Sequence, residues 1–491
     1  MKQSLIICFI ALLLFPAQVT LFAQSSTLPR LEPDPKALVF FERSVKGCTW
    51  TDLAEISLWA SGADNSRMVQ IRALAAAIQS SPDFPSADRE RAEFILRFMH
   101  KNVLKTYSIE QTRIDTIFTN GRYNCVSSGV LYMILCKSVD IEAGGVMTRD
   151  HAFVSVFIGG ESIDVETTNA HGFDPGSRRE FHDEFGKLTG FAYVSARNYR
   201  DRHELKPAEL ISLIFINRLS ALERADRFAE AVPIAIDRMA MLSGARPASG
   251  GNSATPFLQD PFTDLLDRLL NYGASLLWAG REDDCLSWAA LAMPRYPDEA
   301  RWQELVLAAA NNRLTKLVRA GQTAEARSFL DFRRAVLSPA NFAQLDSMLA
   351  DTELAGRVNG IRGAAEGDRV IAAIVEARSN RRIEERRAAE LLCIAVEKTA
   401  AALSSGKDWL AAINYIEDAV ARFGPNRELE QALQIYRNNR AVDFHNSFAA
   451  AWNRKNYDEA RSILNEALVE FPGDRRLLAD RDTVNRARPA E

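Results

Sequence analysis

The sequence predicts an α+β domain over residues 35–205 followed by an all-α helical array over residues 206–488. Between 121 and 170, helical spacing gives way to glycine, β-branched and aromatic residues, the texture of paired strands. Beyond 206 the chain turns rich in Ala and Leu and returns to helical spacing. A length of 491 residues, 47% of them hydrophobic and 25% charged, supplies apolar side chains for several cored domains at about 100–200 residues each. Sixty Lys and Arg against 64 Asp and Glu leave a net charge of −4, which argues against nucleic acid as a partner.

The chain opens with Lys2, an apolar run from Leu5 to Phe15 and a small residue at Ala23. This is the layout of a secretory signal peptide spanning 1–23. The run falls short of the roughly 20 residues a spanning helix needs, so membrane association is expected only if the segment stays uncleaved. Residues 24–34, polar and punctuated by proline, read as a tether. Past the signal remain Cys48, Cys125, Cys136, Cys285 and Cys393. An odd, scattered set is no disulfide framework, and no C-x-x-C or similar spacing points to a metal.

Apolar residues at helical spacing predict helices over Leu38–Val45, Trp50–Trp59, Met68–Ile78 and Arg91–Val103, the last capped by Ser86 or Asp88. Ala152–Ile158 and Ser162–Thr167 read as strands of a hairpin through Gly159-Gly160.

The helical region carries a recurring pattern. Gly406-Lys407-Asp408-Trp409-Leu410-Ala411-Ala412 leads to Ile416, Ala419 and Phe423-Gly424-Pro425. Lys455-Asn456-Tyr457-Asp458-Glu459-Ala460 leads to Phe471-Pro472, and Gly280 to Cys285 leads to Tyr296-Pro297. Fainter copies put Ala231, Ala326 and Ala372 at the small-residue position. A turn, a helix with a small residue in its first turns and a terminal Pro or Gly make a helical hairpin, and the pattern resembles the tetratricopeptide repeat. Its steps of 54, 41, 46, 40 and 48 residues exceed that repeat's period; longer helices and the insert Ser249-Gly250-Gly251-Asn252-Ser253 account for part of the excess. A plain helical bundle is the competing architecture. Trp278, Trp288, Trp409, Tyr457 and Phe471 are expected in the core, and the charged run Arg378 to Arg387 on a solvated face.

Chemistry concentrates in Gly121-Arg122-Tyr123-Asn124-Cys125-Val126-Ser127-Ser128-Gly129. Leu131, Ile134, Leu135 and Val139 follow at helical spacing, which places Cys125 in a first helical turn with Asn124 as N-cap. The positive end of the helix dipole stabilises an anionic sulfur there. Unpaired first-turn N–H groups suit a developing oxyanion. His151 opens the next strand as a general base, and Asp164 and Glu166 on the returning strand share its face. A two-residue turn would set Thr168 opposite His151, so bringing either carboxylate alongside requires a shifted register or a bulge.

These residues resemble the transglutaminase-like cysteine superfamily over roughly 85–200. Asn124-Cys125-x-Ser127 is similar to its cysteine motif, His151-Ala152-Phe153-Val154-x-Val156 to its histidine motif, and Ile163-Asp164-Val165-Glu166-Thr167-Thr168 to its acid motif. The resemblance is closest to bacterial members that add tetratricopeptide-type repeats. It implies a papain-like α+β domain with Cys125 as nucleophile, His151 as base, Asp164 as orienter and Glu166 as the alternative acid. Asn124 is assigned to the N-cap and oxyanion region, and no metal or cofactor is called for. An exported, periplasmic or secreted acyl-transfer enzyme acting on peptide or protein amides is expected, with partner proteins held by the repeats. The alternative is an inactive scaffold of the same architecture binding proteins in the cell envelope.

Overall fold

The computed structural model describes residues 28–148, 151–177, 202–244, 260–297 and 300–486. The signal segment 1–23, the start of the tether and the insert 249–253 lie outside the described residues. Two compact units divide between Ser275 and Leu276.

Helices α1 (Pro35–Lys46), α2 (Trp50–Ala60), α3 (Met68–Gln79) and α4 (Asp88–Asn102) open the first unit. Side-chain oxygens of Asp34 and Thr49 cap the first two. Neither Ser86 nor Asp88 caps α4. Ala87 takes that place without a side-chain bond, and Asp88 lies in the first turn, where a carboxylate complements the helix dipole. Next come β1 (Thr106–Tyr107), α5 (Asp115–Asn120) and β2 (Arg122–Tyr123), the two short strands pairing in parallel. Gly121, left-handed at φ 72°, terminates α5 and turns the chain into β2.

Helix α6 (Cys125–Lys137) is buried at every residue from Val126 to Cys136. A helix apolar all round belongs inside a core. It packs on α2, α4 and a sheet made of β3 (Glu142–Met147), β4 (Ala152–Ile158), β5 (Glu161–Val165) and β6 (His203–Leu205). The strand order is β5-β4-β3-β6, antiparallel throughout. The Gly159-Gly160 hairpin forms as expected: Ile158 faces Glu161, and both glycines have positive φ, 60° and 85°, as a twisted two-residue turn requires. The returning strand stops at Val165, two residues before the expected end.

Helices α7 (Pro207–Arg224) and α8 (Phe228–Ser243) follow. Leu210, Ile211, Ile214, Phe215, Ala240 and Met241 share one hydrophobic core with α6 and the sheet. The compact unit therefore runs past the expected boundary at 205/206. Helix α9 (Pro261–Trp278) carries the division in its last turn.

The second unit is all helical among the described residues: α10 (Glu282–Ala292), α11 (Arg301–Arg319), α12 (Thr323–Phe332), α13 (Pro339–Gly360), α14 (Ala364–Ser379), α15 (Glu385–Ser404), α16 (Trp409–Phe423), α17 (Arg427–Asn453), α18 (Tyr457–Glu470) and α19 (Arg475–Arg486). Each packs on its successor, and α11, α13, α15 and α17 also each contact the helix two further on. That is the neighbour pattern of stacked helical hairpins. The same turn recurs before α10, α12, α16 and α18, where Gly280, Gly321, Lys407 and Lys455 take positive φ. The fourth residue of the following helix is small and buried: Cys285, Ala326, Ala412 and Ala460. In α14 that position belongs to Gly367, which is buried, and not to Ala372, which is exposed.

Two of the expected core aromatics are not core. Trp278, the last residue of its helix, is 78% exposed, and Tyr457, the first of its helix, 45%. Trp288 is fully buried, and Trp409 and Phe471 are half-buried. The charged run does more than face solvent. Arg382 grips Asp346 with two 2.9 Å bonds and Arg387 reaches Asp351 at 2.5 Å, tying the α14–α15 turn to α13. Among the described residues no helix is long and apolar enough to cross a membrane.

Candidate active site

Cys125 is the first residue of α6 and Asn124 its N-cap. Asn124 Oδ1 accepts from the Ser127 N–H at 3.0 Å, and Ser127 Oγ accepts from the Asn124 N–H at 3.0 Å, a reciprocal capping box. The Asn124 Nδ2 donates to the Ile109 carbonyl at 3.0 Å. Both ends of this amide are thus engaged, so the expected capping role stands and the oxyanion role does not fall to its side chain. The N–H groups of Cys125 and Val126, the first two of the helix, have no carbonyl four residues back within it and suit an oxyanion. Gly129, one turn on, lets α6 approach β4 closely: a Cβ there would lie 3.3 Å from Val154 Cγ2.

That approach brings the start of α6 beside the start of β4, where His151 stands. The Thr148 N–H donates to the His151 carbonyl at 2.9 Å, closing the hairpin that presents the ring. His151 Nε2 lies 2.5 Å from Glu166 Oε2, and the Cys125 side chain is near enough to act on the same imidazole. Since a carboxylate only accepts, His151 Nε2 carries a proton. The His151 and Glu166 side chains are only 9% and 2% exposed. Burial opposes charge on the ring. The Glu166 carboxylate and the hydrogen bonds to Cys125 and Glu166 outweigh it, holding the imidazole well above its ordinary value.

Glu166 is fixed from behind. Its Oε1 accepts from the Thr168 hydroxyl at 2.8 Å and the Thr168 N–H at 3.3 Å. Its own N–H donates to the Gly172 carbonyl at 2.7 Å. Gly172 is required there, because a Cβ would sit 2.0 Å from the Glu166 oxygen.

The acid expected first, Asp164, does not reach His151. It stays in the ladder opposite Ser155, about 13 Å along β4 from His151 at 3.3 Å per residue. Its carboxylate accepts from Ser155 Oγ at 2.9 Å and from both Arg202 Nη atoms at 2.7 Å. The expected register shift or bulge is absent as well. Pairing is regular from Ile158–Glu161 to Val154–Val165; the chain then leaves the ladder, and the Glu166 side chain reaches across the gap.

Residues that no motif marked complete the surroundings. His100 of α4 places Nε2 3.1 Å from the Thr167 carbonyl, and burial pushes its imidazole down to about 4. The Tyr123 hydroxyl donates to the Thr168 carbonyl at 3.2 Å, and burial with the nearby Glu166 charge pushes its phenol up to about 12. Tyr107 meets Tyr123 edge-on at 6.0 Å; burial and the charges of Cys125 and Glu166 raise its phenol above the ordinary value. In the sequence these three belong to a helix and to strands too short to show a pattern. Cys136 is fully buried, its thiol pushed up to about 12 by burial, in keeping with a core role. No group of His, Cys, Asp and Glu among the described residues has the arrangement of a metal site.

No family model matches the chain, and no curated protein matches it. A thiol at a helix N-terminus, an imidazole near it and a buried carboxylate bonded to the ring are the parts of nucleophilic acyl transfer.

Proposed function

We propose that this chain is an exported cysteine-dependent acyl-transfer enzyme acting on peptide or protein amides through Cys125, His151 and Glu166. One observation carries the reading: the His151 imidazole is bonded to the buried Glu166 at 2.5 Å and lies within interaction range of Cys125 at the start of α6. The Cys125 sulfur attacks the amide carbonyl, and the first-turn N–H groups of α6 receive the oxyanion. His151 passes a proton to the departing amine, while Glu166 holds the ring in the productive tautomer. The thioester then yields its acyl group to water or to an amine. No step calls for a metal or cofactor.

The central helix packed on an antiparallel sheet whose strand ends are flanked by His151 and Glu166 supports a papain-like, transglutaminase-like domain. The recurring turn and buried small residue support tetratricopeptide-like repeats in the second unit. There a cleft of about 590 Å³ is lined by Thr323, Thr352, Glu353, Arg357, Glu376 and Asn380, a mixed polar surface suited to a partner's peptide. The signal segment 1–23 directs the chain to the periplasm or beyond.

p-Nitrophenyl acetate tests the chemistry. The wild-type protein should release a burst of about one equivalent of p-nitrophenolate as Cys125 is acylated, and Cys125→Ser should release none. An equal burst from Cys125→Ser would overturn the reading. No burst from either would favour the scaffold.

A further inference from the structure

We infer that His100 and Tyr123 are positioning residues for Glu166, acting through the backbone of Thr167 and Thr168. The inference rests on the Cys125–His151–Glu166 reading and extends it to what sets the acid in place. Glu166 Oε1 is held by two donors of one residue, the Thr168 hydroxyl and N–H. Those donors point correctly only while the 167–168 segment keeps its place.

That segment is fully buried, and three elements reach it. From α4, His100 bonds the Thr167 carbonyl at 3.1 Å; from β2, the Tyr123 hydroxyl bonds the Thr168 carbonyl at 3.2 Å; from α6, Ser128 Oγ lies 2.8 Å from Thr167 Oγ1. A carbonyl only accepts, so His100 Nε2 is the donor and its tautomer is set. Burial keeps that ring neutral, so it anchors the loop without adding a second cation to compete with His151 for the Glu166 charge. The His100 and Tyr123 rings also meet edge-on at 5.9 Å, each bracing the other. In metal sites the groups that orient a ligating imidazole are themselves held by hydrogen bonds, and losing that support costs about 10–100-fold in affinity or activity; the same scale is expected for Glu166.

The test uses the full chain carrying His100→Leu, His100→Gln or Tyr123→Phe. The p-nitrophenyl acetate burst rate, the pH profile of Cys125 alkylation by iodoacetamide and the thermal midpoint are read together. His100→Leu and Tyr123→Phe should slow the burst about ten-fold or more and displace the alkylation profile in the direction Glu166→Gln does. His100→Gln, whose amide N–H reaches as far as Nε2, should recover most of the lost rate. If His100→Leu does not fold, Tyr123→Phe against His100→Gln carries the comparison. Wild-type rates and profiles in Tyr123→Phe, or a His100→Gln no faster than His100→Leu when both are folded, would overturn the inference alone. Absence of a Cys125-dependent burst in the wild type would overturn the triad and this inference with it.

Discussion

Two carboxylates two residues apart, Asp164 and Glu166, have different fates because the ladder ends between them. Alternation along the strands places both on the His151 face, and that much is legible from sequence. Which one meets the ring depends on where pairing stops, and that is set by the turn through Gly172 and by Arg202, which claims Asp164. Neither contact has a local signature. Glu166→Gln should therefore lower Cys125-dependent acylation by about 10²–10⁴-fold, as when a triad loses its orienting carboxylate. Asp164→Asn should lower it far less while costing some stability, because it weakens the half-buried pair with Arg202. Burst kinetics and denaturant melts of both variants check this, and the reverse order of rates would restore Asp164 as the acid.

The raised His151 value also has a stability consequence. The folded protein holds this proton above the pH at which the unfolded chain releases it, near 6.5. The pair's contribution is fully present below about pH 6.5 and is lost as pH rises through the raised folded value. Denaturation midpoints of the wild type should fall across that window, and Glu166→Gln should flatten the fall. An unchanged slope would show that the carboxylate does not set the proton's affinity.

At the level of elements, glycine both revealed and concealed structure. Gly159-Gly160 announced a hairpin, and the hairpin formed in the expected register. Gly144 and Gly145 hid β3, because they blank the alternation just where α7 presses on the sheet: a Cβ on Gly145 would lie 2.9 Å from Leu210 Cδ1. The recurring turn with a small buried residue after it is legible in the sequence except in α14, where Gly367 and not Ala372 fills the small position. Gly367 faces Thr399 of α15, and a Cβ would come within 2.0 Å of its Oγ1. Gly367→Ala gains about 1 kcal/mol in helix propensity, but overpacking of about 1–3 kcal/mol should outweigh it. Gly406→Ala, with nothing within 4 Å, should shift stability by no more than about 0.5 kcal/mol. Thermal midpoints decide, and a stabilised Gly367→Ala would refute close packing as the rule of the array.

Across the whole molecule, composition indicated how much core the chain can build but not where its units divide. The helices after residue 205 look alike in sequence, yet α7 and α8 complete the core around α6 and the sheet. The cysteines give the sharper molecule-wide contrast. Burial pushes the thiols of Cys136, Cys285 and Cys393 up to about 12, and burial with the Asp52 charge raises that of Cys48. Cys125 is half-buried at a helix start with the His151 imidazole near it. The most direct measurement is the rate of iodoacetamide alkylation at each cysteine of the folded protein near neutral pH, read by peptide mass mapping. Cys125 should react first, by about ten-fold or more over Cys48, and should slow markedly in His151→Ala and Glu166→Gln. A Cys125 no faster than Cys48, or indifferent to His151, would contradict a nucleophilic role for it.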